Sequence, residues 1–113
     1  MNVGDIFWVN LPSPGGRAQS GKRPAIVFQH SKVSQKIPTV LIVPLTTQQD
    51  ALRFPATVFI EKSSKNGLRQ DSVALVFQLT AIDKRFFDTR LGKISENDLK
   101  EIWQNLVSLA GQS

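Results

Sequence analysis

The sequence contains no cysteine and only one histidine, His30, among its 113 residues. The absence of cysteine excludes disulfide bonds, thiolate zinc sites, iron–sulfur clusters and cysteine nucleophiles. A single histidine leaves no partner for a histidine-based metal site or for a two-histidine acid–base pair. The composition therefore gives no sign of a metal centre or of another cofactor.

Long apolar runs are also missing from the sequence. The longest is the six-residue run at 40–45, whereas a membrane span needs about 20 apolar residues. Asp5 stands where a signal peptide would carry positive charge ahead of its apolar core. We therefore expect a cytoplasmic protein, and its length fits a single domain at 1–113.

Acidic residues are scarce in one part of the chain. Residues 11–53 hold six basic side chains and one acidic side chain, Asp50, so that this stretch carries a net charge of +5. The eight basic and eight acidic residues outside it cancel, which places the whole formal charge of +5 in this stretch. Such an excess indicates either an ordinary solvated face or contacts to a polyanion.

The first two thirds of the chain alternate short β-rich runs with turn residues. The runs predict five strands, at 5–11, 24–28, 39–45, 56–61 and 72–77. Between the last two, the step from Asn66 to Gly67 is typical of a tight hairpin turn with positive φ. Short strands at this spacing predict a small, mostly antiparallel barrel.

The last segment of the chain has a different period. Its apolar residues recur at three- and four-residue spacing, at Leu99, Ile102, Trp103, Leu106 and Ala110. Ser95 followed by Asp98 resembles a capping box, and Gly111 is typical of a helix end. The pattern predicts an amphipathic helix that closes the chain, and the fold class is therefore mainly β (α+β).

A phosphate-binding loop is the most tempting local match, because Gly16, Gly21 and Lys22 have the spacing of that motif. The Ser or Thr that should follow is Arg23, and a strand-like run begins at Pro24 where the motif requires a helix. Without a helix N-terminus there is no dipole to hold the anion. We therefore reject nucleotide binding.

Arg23 is a better candidate for a functional residue. A residue that precedes proline is driven toward extended backbone, so Arg23 is expected at the mouth of a strand. A positioned guanidinium group matches phosphate oxygens, although an ordinary surface arginine is the alternative. Thr46, Thr47 and Gln48 directly follow the next predicted strand, where they either bond phosphate or base edges or serve as turn residues.

Nucleic acid is the polyanion that this pattern favours. Proteins that read double-stranded DNA usually insert a helix into the major groove, and the predicted helix has no basic face. A barrel that carries Arg, Thr and Gln on its loops suits single-stranded nucleic acid better. His30 is expected to be structural or on the surface, and Trp8 and Trp103 are expected in the core or an interface.

Seven motifs follow one another along nearly the whole chain. They are GDIFWVNL at 4–11, QSGKRPAIV at 19–27, VPLTTQ at 43–48, FPATV at 54–58, GLRQDSVAL at 67–75, AIDKR at 81–85 and LGKIS at 91–95. In this order the motifs resemble the MazF/PemK/Kid-type toxins of bacterial toxin–antitoxin systems.

The resemblance implies an SH3-like barrel that forms homodimers and acts as a metal-independent endoribonuclease on short sequences of single-stranded RNA. In this family the 2′-hydroxyl of the RNA attacks the adjacent phosphate, which leaves 2′,3′-cyclic phosphate and 5′-hydroxyl ends. The resemblance also implies a cognate acidic antitoxin whose C-terminal segment lies across the RNA groove.

The family's catalytic Arg and Thr fall on Arg23 and Thr46. By resemblance, Arg23 would stabilise the charge of the pentacovalent phosphorane, and Thr46 would hydrogen-bond a phosphate oxygen. The residues expected to bind RNA along the same groove are Arg17, Gln19, Lys22, Thr47, Gln48, Arg53 and Gln78.

The chain departs from the family pattern at three positions. Ala18 and Phe77 stand where many relatives carry a carboxylate, and Thr80 stands where a basic residue is common. No general base is therefore evident, and a module that binds RNA or the antitoxin without efficient cleavage is the alternative function. A gyrase poison of the CcdB kind is disfavoured, because the sequence up to Ser113 lacks its terminal aromatic residue.

Overall fold

The computed structural model describes residues 1–11 and 21–111. Its strands are β1 (Asp5–Leu11), β2 (Gly21–Val27), β3 (Thr39–Thr46), β4 (Thr57–Ile60), β5 (Ser72–Leu75), β6 (Thr80–Asp83) and β7 (Phe87–Lys93). The helices are α1 (Ser31–Ser34) and α2 (Glu96–Leu109), and 3-10 turns lie at Gln49–Arg53, Val76–Gln78 and Lys84–Phe86. No helix in these ranges is long and apolar enough to cross a membrane.

Strand β3 lies at the centre of an antiparallel sheet with the strand order β4-β5-β3-β2-β1-β7. One edge of β3 pairs with β2, and the other edge pairs with β6 and then, at Leu45 and Thr46, with β5. Because β3 pairs with β2 on one edge and with β6 and β5 on the other, the sheet bends around a core as in a small barrel. Among the described residues, the strand pairs do not close into a ring. The predicted mainly β, antiparallel fold with a C-terminal helix is confirmed.

Helix α2 covers one face of this sheet. The Ser95 side chain caps it by accepting a hydrogen bond from the Asp98 backbone amide at 3.1 Å, as the sequence predicted. Ile102 is fully buried in the core beneath α2, and each buried side chain of this size contributes about 1.5–3 kcal/mol. Trp103, by contrast, is 58% exposed and stacks on Phe28 with the ring centroids 5.9 Å apart, so that of its two predicted places, the core or an interface, only the interface remains.

A second core cluster lies on the other face of β1, β2 and β3. Its buried members are Val9, Ala25, Val27, Val40, Ile42 and Ile82, and partly buried Phe7, Leu11, Phe86 and Phe87 pack against them. Strands β6 and β7 adjoin this cluster and are two strands more than the five that were predicted. β7 escapes detection because most of its residues are exposed and polar, so that only its pairing with β1 shows it to be a strand.

The predicted tight turn at Asn66 and Gly67 is wrong in its form. β4 and β5 do pair as a hairpin, but residues 61–71 join them as a long loop. The buried Asn66 side chain organises this loop: its Oδ1 accepts from the amides of Ser63 and Leu68, both at 3.0 Å, and its Nδ2 donates to the Glu61 carbonyl at 2.8 Å. The Asn66 side chain thus binds three backbone groups of the loop. Of Asn66 and Gly67, only Gly67 has positive φ.

Gly67 is expected to be among the least replaceable surface-loop residues. Its φ is +72°, and an added Cβ would lie 2.2 Å from the Leu91 carbonyl oxygen of β7. Gly111 has a similar φ of +83° with no atom within 4 Å of such a Cβ, which makes it a matched control. We predict that Gly67→Ala lowers the free energy of unfolding by about 1–3 kcal/mol more than Gly111→Ala does, as measured by urea denaturation. Equal losses in the two variants would mean that the loop does not pack closely on β7.

Candidate functional site

Arg23 and Thr46 each lie two residues beyond the last pair of the β2–β3 ladder. Ala25 lies opposite Pro44 at the end of that ladder, and each step back along β2 is matched by a step forward along β3. Continuing this register by two residues sets Arg23 opposite Thr46. Neighbouring strands lie about 5 Å apart, so both side chains can reach one phosphate group.

Both side chains belong to the same face of the sheet. Residues directly opposite each other, or two apart on one strand, share a face, which puts Arg23 and Thr46 on the side of Ala25 and of the second core cluster. Both residues are half-buried, at the end where that cluster gives way to the surface. Arg23 lies inside β2 as its third residue rather than at the mouth of the strand, because the strand begins earlier than its apolar run.

Thr46 has a fixed local hydrogen bond. Its Oγ1 accepts from the Gln48 backbone amide at 3.2 Å. A threonine hydroxyl has one proton to donate and two lone pairs, so that this bond occupies a lone pair and leaves the proton to be donated elsewhere. The turn thereby prepares Thr46 as a hydrogen-bond donor, which is the role that a phosphate oxygen requires.

The exposed residues after Thr46 form the rim of this site. Thr47 and Gln48 are both exposed, and the 3-10 turn Gln49–Arg53 follows them. The Gln49 side chain donates to the Asp71 carbonyl at 3.0 Å, which ties this turn to the residue just before β5. Because β5 pairs with β3 through Val73 and Thr46, the rim is held next to the strand end that carries Thr46.

Lys22 has a partner that sequence reasoning missed. Its Nζ lies 2.6 Å from an Asp88 carboxylate oxygen on β7, and both side chains are exposed. The hydrogen bond and the charge of Lys22 hold the pKa of the Asp88 carboxyl below its ordinary value. Part of the positive charge predicted to attract a polyanion is therefore balanced at this point.

Arg53 and Gln78 lie on the opposite side of β3 from Arg23. Arg53 ends the turn that follows Thr46, and its guanidinium carbon lies 5.1 Å from the centroid of the Phe54 ring. Gln78 is exposed at the end of a second 3-10 turn, just before β6, and β6 pairs with the edge of β3 that faces away from β2. Arg53 and Gln78 therefore lie on one side of β3, and Arg23 lies on the other.

Two predicted RNA-binding residues, Arg17 and Gln19, lie outside the described residues, as does Ala18. His30 has the structural role that was expected, because its Nδ1 caps helix α1 by accepting from the Lys32 amide at 3.1 Å. Within 1–11 and 21–111 there is no group of three or more His, Cys, Asp or Glu side chains that could hold a metal ion.

An apolar pocket of about 590 Å³, to whose lining neither Arg23 nor Thr46 contributes, lies between the start of the chain and α2. It is lined by Val3, Phe28, His30, Glu96, Leu99, Lys100 and Trp103. Sequence reasoning assigned Trp103 to a helix face but could not show that Phe28, which directly follows β2, would line the same pocket.

Comparison with known proteins gives concordant matches. Residues 2–109 match the family model described as PemK-like, MazF-like toxin of type II toxin-antitoxin system. The chain is 32% identical over 102 residues to the endoribonuclease MazF of Staphylococcus saprophyticus, a match that covers 90% of this chain and 84% of that relative.

Solved structures share the fold across nearly the whole chain. MazF from Deinococcus radiodurans superposes with a TM-score of 0.81 at 22% identity, covering 98% of this chain and 96% of that one. MazE-MazF from the same organism gives 0.81 at 23% identity, with coverage of 100% and 97%. A mycobacterial endoribonuclease in complex with its cognate antitoxin gives 0.77 at 16% identity, with coverage of 100% and 97%.

Proposed function

The chain belongs to the family of PemK-like, MazF-like toxins of type II toxin–antitoxin systems, and on that basis we propose that it is an endoribonuclease that cleaves single-stranded RNA. The observation that supports this proposal is the register of β2 and β3, whose last pair, Ala25 with Pro44, lies two residues from Arg23 on one strand and two residues from Thr46 on the other. The name of the S. saprophyticus relative, endoribonuclease MazF, supports the same activity.

The proposed reaction uses a nucleophile that the substrate supplies. The 2′-hydroxyl oxygen of one nucleotide bonds to the adjacent phosphorus, the bond from phosphorus to the 5′-oxygen of the next nucleotide breaks, and that oxygen gains a proton. The 2′-hydroxyl loses its own proton, so that the products carry a 2′,3′-cyclic phosphate and a 5′-hydroxyl. Such an intramolecular attack needs no metal to generate a nucleophile, and it excludes DNA as a substrate.

Arg23 and Thr46 have complementary roles in this reaction. The phosphorane carries more negative charge than the starting phosphodiester, and a guanidinium held by a strand stabilises that charge without reorganising. A guanidinium group is a poor acid or base in proteins, so the role proposed for Arg23 is electrostatic. Thr46 donates its hydroxyl proton to a phosphate oxygen, because the Gln48 amide already occupies one lone pair of its oxygen.

The acceptor of the 2′-hydroxyl proton is proposed to be water. Ala18 and Phe77 stand at the two positions where the family resemblance leads one to expect a carboxylate. A positioned side-chain base typically contributes about 10²–10⁴-fold, and turnover is expected to be slower by part of that factor. A binding module with cleavage lost is the alternative that these two residues favour.

The proposed partners are RNA and an antitoxin protein. The net charge of +5, concentrated in residues 11–53, suits both a polyanion and an acidic polypeptide. The similar D. radiodurans and mycobacterial structures contain MazE or a cognate antitoxin, which supports an antitoxin partner here. A homodimer is proposed from the same family resemblance.

The test is cleavage of a panel of RNAs by antitoxin-free protein in EDTA. We expect cuts at short sequences in single-stranded regions, with protection of the same sequences in a duplex and no cutting of single-stranded DNA. Binding of the RNAs without cleavage of any of them would favour the binding module. Equal cutting of DNA would exclude the proposed nucleophile.

A further inference from the structure

Arg53, Phe54 and Phe77 form a cluster at the surface beside the proposed site. We propose that the Phe54 and Phe77 rings stack on one base of bound RNA while Arg53 binds an adjacent phosphate. This inference rests on the proposed action on RNA and deepens it, because it assigns an RNA-base subsite that determines affinity.

The two rings are arranged as an open aromatic cleft. Their centroids lie 5.8 Å apart with the planes at 59°, and Phe54 is 45% and Phe77 is 39% exposed. Two phenylalanines that packed only on each other would hide more of their faces from water. Each ring thus keeps a free surface on which a planar base can lie, and such stacking is tolerant of base identity.

The backbone holds both residues at the junction of β4 and β5. The Phe77 amide donates to the Ala56 carbonyl at 3.2 Å, which extends the β4–β5 pairing beyond its last ladder pair, Thr57 with Leu75. Val76 is fully buried in the core beneath α2, so that Phe77, the next residue, faces outward. The backbone of Phe77 is therefore held by the hydrogen bond to Ala56 and by the buried residue before it.

This position is continuous with the proposed site. Phe77 directly precedes Gln78, and Phe54 directly follows the turn Gln49–Arg53 that leads away from Thr46. The same turn is fixed to the start of β5 by the bond from Gln49 to the Asp71 carbonyl. RNA whose phosphate lies between Arg23 and Thr46 therefore meets this cleft as it crosses β3 toward β5.

Arg53 gives the cleft its preference for a nucleotide over an apolar peptide side chain. Its guanidinium carbon lies 5.1 Å from the Phe54 ring centroid, a cation–π arrangement that uses the flat face of the group. The N–H donors of a guanidinium lie on its edge, so a group whose flat face lies on a ring can still bind a phosphate. An aromatic face and a cation side by side match a base and its backbone.

The experiment measures RNA affinity by fluorescence anisotropy with an uncleavable probe. The probe is a labelled, fully 2′-O-methylated RNA twelve-mer of the best-cleaved sequence, or of mixed sequence when no RNA is cleaved. Phe54→Ala and Phe77→Ala are expected to weaken binding by about 5- to 150-fold, the range for loss of one base–aromatic stack. Phe54→Trp keeps a stacking surface and should retain near-wild-type affinity.

Phe59→Ala is the matched control. Phe59 is 44% exposed on β4, but it lines a different pocket beside Glu61 and the start of α2. Its loss should change RNA affinity less than twofold. Phe54→Leu, which keeps apolar bulk, replaces Phe54→Ala where thermal denaturation shows that the alanine variant does not fold, and it should show the same weakening.

A scan of the probe with single abasic nucleotides locates the base. Removing the stacked base should weaken wild-type binding at one position and leave Phe54→Ala unaffected at that position. Equal RNA affinity of wild type, Phe54→Ala and Phe77→Ala would overturn the inference, and so would variants that lose only antitoxin binding. If the wild type binds the probe as expected but cleaves no RNA, the nuclease proposal fails while this inference stands.

Discussion

Replacing Arg23 with alanine is expected to lower kcat by about 10²–10³-fold, with the RNA dissociation constant changing far less. A preorganised donor aimed at charge that develops only in the transition state contributes mainly to the chemical step. Arg23 would meet that description because β2 fixes its backbone two residues from Ala25, the last residue of β2 that pairs with β3. Single-turnover cleavage of the mapped RNA, with the enzyme in excess, measures this step directly.

Two further variants separate geometry from charge. Arg23→Lys keeps the positive charge but loses the planar fork of donors, so it should recover only part of the lost rate. Arg69→Ala removes an equally charged side chain from the exposed loop before β5 and should leave kcat within about twofold. A wild-type rate in Arg23→Ala would remove Arg23 from the active site.

A single 2′-deoxy nucleotide on the 5′ side of the cut bond is expected to abolish cleavage at that bond. The 2′-hydroxyl is the proposed nucleophile, and an intramolecular nucleophile is worth an effective concentration of about 10⁵ M or more. No side chain of the described site is proposed to replace it. Gel analysis of end-labelled RNA should show no product at the modified position.

The same substitution one nucleotide to either side provides the control. These RNAs keep the nucleophile at the cut bond and should be cleaved at rates within a few-fold of the unmodified RNA. Residual cleavage at the modified bond would indicate that water or a protein group attacks the phosphorus instead.

The sequence predicted the regular elements wherever burial gave them a pattern. β1 was predicted with its observed bounds, and α2 was found from its apolar spacing and the Ser95 cap. β7 was missed because its side chains are mostly exposed and its existence depends on pairing with β1, a contact between distant parts of the chain. The turn at Asn66 was misread because its side chain bonds within a longer loop.

The proposed site was likewise predicted from the sequence only in part. Arg23 could be singled out from the proline that follows it, and Thr46 from its place at a strand end. How near these two residues lie to each other depends on the register between β2 and β3, which no local sequence pattern specifies. The cleft of Phe54 and Phe77 could not be predicted either. It depends on the pairing of β4 with β5, which brings the residue before β4 close to the residue after β5.

The concentration of charge in residues 11–53 has a structural counterpart. Lys22 and Arg23 lie on β2, and Arg53 ends the turn after β3, so that basic groups flank the central strand on both sides. Asp88 balances the charge of Lys22, which sequence arithmetic could not show.

The most direct test of the proposed chemistry is the identity of the RNA ends formed in EDTA by freshly purified, antitoxin-free protein. Mass spectrometry of the two product fragments distinguishes a cyclic phosphate from a linear one by the mass of one water. We predict a 2′,3′-cyclic phosphate on the 5′ fragment and a 5′-hydroxyl on the 3′ fragment. Products with a 3′-hydroxyl and a 5′-phosphate, or cleavage that stops in EDTA, would contradict metal-independent attack by the 2′-hydroxyl.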